Sequence, residues 1–149
     1  MVVEIVNRQT RRKLSRLRLK KTAQKVLEFL NQERAELSLA LVDNREIGKL
    51  NARYRRKNEP TDVLSFPSGE RLPGGKVLLG DVVISVEKAE EQARKRRKTL
   101  EQEIESLLIH GILHLLGYDH ERSEKDAKIM RRMEEKVSRA LCRTRALRV

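Results

Sequence analysis

Residues 107–116, LLIHGILHLL, form the longest strongly apolar run in the chain, and two histidines interrupt it. At a rise of 1.5 Å per residue such a helix is about 15 Å long, half the thickness of a hydrocarbon bilayer core. It is too short to cross a membrane and apolar nearly all round, so it reads as a helix buried inside a folded domain, with both histidines buried in it. Its ends are legible as well. Thr99 with Gln102 three residues on makes a capping box, and Gly117 stands where a helix ends in a left-handed residue.

The rest of the chain supplies what could cover that helix. Alternating or continuous apolar runs predict strands at residues 2–6, 37–42, 63–66 and 77–86. Helical spacing predicts helices at about 14–30, with Leu14, Leu17, Val26, Leu27 and Leu30 on one face, and at about 45–56, 87–98 and 123–139. Asp43 or Asn44 and Ser123 are natural N-caps for two of these. The Gly- and Pro-rich segment 67–75 reads as a loop, and the tail from 140 to 149 as less ordered. Four strands and about five helices without a long linker describe one α+β domain over residues 1–149. A chain of this length buries roughly 70% of its unfolded surface and needs no staples. Its single cysteine, Cys142, closes no intramolecular disulfide, which points to a reducing compartment. No export signal precedes the basic stretch that begins at Arg8, so the expected location is the cytoplasm. With 34 Lys and Arg against 22 Asp and Glu the formal charge is +12. That excess favours a polyanionic partner, nucleic acid or an anionic membrane surface, without choosing between them.

The chemistry concentrates in HGILHLLGYDH, residues 110–120, which contains all three histidines of the protein. His110 and His114 are four apart on one helix face, and Gly117 lets the chain turn so that His120 returns as a third ligand. Unpartnered buried imidazoles are costly and repel one another when protonated; a metal resolves both problems. Three neutral nitrogens with an open fourth position are the arrangement that lowers the pKa of zinc-bound water toward roughly 7. The spacing therefore predicts one zinc per chain held by His110, His114 and His120. A structural zinc would want a fourth protein ligand, for which Cys142 is poorly placed, and Asp119, adjacent to His120, reads as a group beside the metal or as a proton handler.

The spacing is similar to the HExxHxxGxxH helix of the metzincin proteases, with one departure. Where those enzymes carry the glutamate that serves as general base, this chain has Gly111, so peptide hydrolysis by that route loses its base. Phosphodiester cleavage is more tolerant, because a metal can bind a phosphate oxygen while a cation stabilises the extra transition-state charge. Arg53, Arg55, Arg56 and Lys57 crowd a helix end just before Pro60 and are candidates for that cation, or simply a solvated helix end.

Taken together, HGILHLLGYDH, RRKNEPTDVLSFP at residues 55–67 and LLGDVVIS at 78–85 resemble the YbeY family of bacterial metal-dependent endoribonucleases, in the family's order. The resemblance implies a four-stranded sheet packed with helices around a central histidine helix, and a single Zn2+ held by His110, His114 and His120 at the base of a cleft. It implies a hydrolase specific for single-stranded RNA that works with ribosomes, matures the 3′ end of small-subunit ribosomal RNA and serves ribosome quality control. No membrane or DNA partner is expected. The family's functional arginine falls, within the NxxYR run, on Arg55. The competing expectations are an RNA-binding ribosome-assembly factor with a structural zinc and, disfavoured by Gly111, a metalloprotease.

Overall fold

The computed structural model describes residues 1–146. Ten elements follow in order: β1 (Val2–Asn7), α1 (Arg16–Phe29), β2 (Ala35–Val42), α2 (Asn44–Arg55), β3 (Val63–Leu72), a 3-10 turn (Pro73–Gly75), β4 (Lys76–Ser85), α3 (Val86–Arg96), α4 (Leu100–Leu115) and α5 (Glu124–Ala146). Each helix begins where a short polar side chain can accept a backbone N–H. Ser15, Asp43, Ser85 and Thr99 do so for α1 to α4, and Ser123 accepts from Asp126 N–H at 3.1 Å at the start of α5. The capping box of α4 is complete, with Thr99 Oγ1 accepting from Gln102 N–H and Gln102 Oε1 accepting from Thr99 N–H.

The strands form one sheet in the order β1-β2-β4-β3. The first three are mutually parallel, and β3 returns antiparallel along the outer edge of β4. Alternation splits the buried residues between two faces. Leu37, Leu39, Leu41, Val82 and Ile84 join the large core that surrounds α4, which also takes in Leu108, Ile112 and Leu113. Val42, Leu64 and Val83 point the other way and meet Ile47 of α2 in a much smaller cluster. The fold is α+β as expected, with α4 packed on β3 and β4 and flanked by α1, α3 and α5.

Three local expectations are corrected. Residues 67–72 are strand, and only Pro73–Gly75 turns the chain. Because β3 is an edge strand, Pro67 can lack its N–H there, and the register shift between Pro67 and Glu70 absorbs Gly69, whose φ is +72°. Leu17 is 63% exposed, and the buried face of α1 is Ala23, Val26 and Leu27. The last helix runs past Arg139 to Ala146, because Leu141, at 3% exposure, still has core to pack against. The end of the tail expected to be less ordered, residues 147–149, lies outside the described residues. Among those described, no helix is long and apolar enough to cross a membrane.

Candidate metal centre

Gly111 determines how close α4 comes to the sheet. A Cβ at this position would lie 2.7 Å from Val82 Cγ1 and 3.3 Å from Ser65 Oγ, and the Ser65 hydroxyl donates to the Gly111 carbonyl at 3.1 Å. The helix therefore rests directly on β3 and β4 with His110 and His114 turned along the sheet edge. At its C-terminus Gly117 N–H bonds to His114 O and Tyr118 N–H to Leu113 O, both at 3.0 Å. With Gly117 at φ +99°, this is the left-handed helix stop in which glycine escapes the Cβ penalty. The reversal brings His120 back over α4.

The three histidines converge. One ring nitrogen from each of His110, His114 and His120 lies within 4.8 Å of the others, and the ring centroids are 4.7 to 5.2 Å apart. Two features suit a metal. Burial, reinforced by the charges His110 and His120 would carry, holds the His114 pKa below the ordinary histidine value, so the neutral, ligating form prevails. The Glu134 carboxylate on α5 lies 3.2 Å from His110 Nδ1, the contact that fixes the tautomer of metal-binding histidines and frees the other nitrogen. Three imidazoles with a carboxylate behind one of them fit a borderline-soft divalent ion such as zinc, with room left for further ligands. Cys142 is exposed and takes no part. The histidines are less buried than expected, half-buried for His110 and His114 and exposed for His120, because they form the wall of an open cleft.

That cleft has a volume of about 520 Å³ and is lined also by Asp62, Ser65, Arg55, Asp119 and Glu121. Of the four basic residues at the end of α2, Arg55 is the one that lines it. Arg53 instead stacks its guanidinium over the Tyr54 ring at 5.3 Å, and Arg56 is the left-handed C-cap of α2. The segment between Arg55 and the strand is tied down: Asn51 donates to Glu59 O at 2.9 Å, Asp62 Oδ1 accepts from Val63 N–H at 2.8 Å, and Gln92 donates to Asp62 Oδ2 at 3.2 Å. Asp119 accepts from Glu121 N–H at 2.9 Å. That bond, more than the nearby Arg122 guanidinium, pulls its pKa down and braces the turn carrying His120.

Two carboxylates and one hollow were not foreseen. A single oxygen of Glu121 lies 3.7 Å from Arg55 Nη2 and 3.9 Å from His120 Nε2, linking the arginine to the histidine cluster. Glu134 is 24 residues from His110, and no local pattern marks it. A second hollow of about 500 Å³ opens on the other side of the histidines, between α4, α5 and the end of α3.

Comparison with known proteins agrees with the sequence motifs. The family profile described as Endoribonuclease YbeY matches residues 4–142. A curated Endoribonuclease YbeY of Aquifex aeolicus is 47% identical over 135 residues, 88% of this chain and 89% of that protein. The Endoribonuclease YbeY of Thermodesulfovibrio yellowstonii is 36% identical over 149 residues, 91% of this chain and 94% of its own length. A Thermotoga maritima protein whose structure was solved in solution superposes with a TM-score of 0.66 at 30% identity, covering 97% of this chain and 93% of that one.

Proposed function

Because this chain belongs to the YbeY endoribonuclease family, we propose that it is a zinc-dependent endoribonuclease that cuts single-stranded RNA during ribosomal RNA maturation. The expected cut is at the 3′ end of the small-subunit RNA, and the expected setting is the cytoplasm, with ribosomes as partners and ribosome quality control as a further duty. The single observation that carries the reading is the convergence of three histidines in a cleft that Arg55 also lines.

In this reading His110, His114 and His120 hold one Zn2+, Glu134 keeps His110 in its ligating tautomer, and Arg55 binds and neutralises the scissile phosphate. Bound zinc supplies Lewis acidity and a water of lowered pKa. Arg55 is 43% exposed and meets Glu121 only at 3.7 Å, so an incoming phosphate competes against a weak, screened pair. A structural zinc would call for four protein ligands, and the cluster among the described residues offers three.

The test is to incubate the purified protein with single-stranded RNA and with casein, each with and without chelator, alongside elemental analysis. RNA should be cut and casein spared, chelation should abolish cutting, and the protein should carry one zinc per chain that His114→Ala loses. A chelator-resistant activity, or a His114→Ala protein with full zinc occupancy, would sink the assignment.

A further inference from the structure

The histidine cluster is open on two sides. His110, His120 and Asp62 line the cleft that holds Arg55 and also line the second hollow. The two spaces are similar, about 520 and about 500 Å³, and both fall in the roughly 300–1,000 Å³ range of small-molecule sites. An endonuclease differs from an exonuclease in that the polymer continues past the scissile bond in both directions. A cut at the histidines therefore needs room for chain on either side of them.

Charges of both signs line the second hollow, and among the described residues Arg131 is the cation there without an acidic partner. Arg96 Nη1 is committed to the fully buried Glu103 at 2.8 Å. Glu134 is committed to His110, and Asp62 to Val63 N–H and Gln92. Arg131 of α5 is exposed, and among the described residues it has no hydrogen-bond or ion-pair partner. It lines the hollow together with Ala127 and Glu134, four residues before it and three after, which is one face of the helix. A planar guanidinium left without an internal partner beside such a centre suits a phosphate, which it can bind through two parallel N–H···O bonds.

We infer that the second hollow is the other arm of the RNA site: a single strand crosses the histidine cluster from Arg55 to Arg131, and Arg131 binds a backbone phosphate beyond the cut. The inference rests on the endoribonuclease reading above. It also makes α5 part of the substrate surface as well as support for His110.

Arg132 provides the control. It is the next residue, equally charged and exposed, but it points roughly 100° further round the helix and does not line the hollow. Zinc-loaded parent, Arg131→Ala and Arg132→Ala proteins are compared for zinc content, for equilibrium binding of a fluorescently labelled single-stranded RNA across a salt series, and for KM and kcat. Arg131→Ala should weaken binding and raise KM roughly tenfold or more, as for loss of a hydrogen bond to a charged group. It should lower the salt slope by about one and leave zinc content and kcat unchanged. Arg132→Ala should match the parent. Equal losses in both variants, or no loss in Arg131→Ala, would overturn the second arm. Because binding is read apart from cleavage, a parent that binds RNA without cutting it would count against the proposed reaction, while the affinity comparison would still decide the role of Arg131.

Discussion

On one face of the sheet α4 is packed into a core in which Leu108, Ile112 and Leu113 are wholly buried, whereas on the other α2 rests on a cluster of four buried side chains, Val42, Ile47, Leu64 and Val83. The candidate site takes its histidines from the thick side and its arginine from the thin one, around the edge strand β3. The division suits the demands on each. Metal ligands need to be held within narrow tolerances by packed surroundings, whereas a phosphate-binding side chain at an exposed helix end can follow its ligand. Stability and metal retention should therefore depend on the face of α4, and turnover alone on the end of α2.

The largest effect should come from the packing itself. Leu108→Ala should cost about 2–5 kcal/mol in denaturant unfolding and also loosen zinc, measured by competition with a chelating dye. Ile47→Ala removes an equally buried side chain on the other face and should cost stability near the lower end of the same range, with zinc affinity intact. If Ile47→Ala released zinc as readily as Leu108→Ala, the two faces would not be mechanically distinct and the comparison would fail.

Next in size is Arg55→Glu. It should slow cleavage of single-stranded RNA by about 10²–10³, the usual consequence of losing one well-placed donor to a developing charge, while zinc content and the unfolding midpoint stay at parent values. A metal-replete variant that cuts at the parent rate would remove Arg55 from the mechanism. The smallest effect sharpens the account of the thick side. Glu134→Gln should weaken zinc binding by about 10–100-fold, and excess zinc should restore activity; unchanged affinity in the dye competition would show that the contact to His110 is incidental.

What could be read from the sequence was what is local. The capping box at Thr99 and Gln102, the glycine stop at Gly117 and the histidine spacing are complete within a few residues, so the physics that makes them is contained in the string. Arg55 was separable from Arg53, Arg56 and Lys57 by family likeness, since all four share a helix end and only the fold turns one of them into the cleft. Glu134 and Arg131 belong to another helix that docks through Met130, Val137 and Leu141, and nothing near either residue announces its neighbours. Residues 67–72 read as a loop because an exposed edge strand needs no apolar alternation: from Pro67 to Arg71 every residue is exposed, and the pairing to β4 alone makes the segment a strand.

The contact between Gly111 and the sheet also bears on how this helix could be converted to other chemistry. Restoring the protease pattern takes one substitution on paper, Gly111→Glu. In this fold, however, the new side chain would start 2.7 Å from Val82 Cγ1 and face the sheet, so it would lever α4 away from β4 before any carboxylate reached the histidines. In this chain the protease glutamate thus requires α4 to dock differently on the sheet, a change that one substitution at Gly111 does not supply.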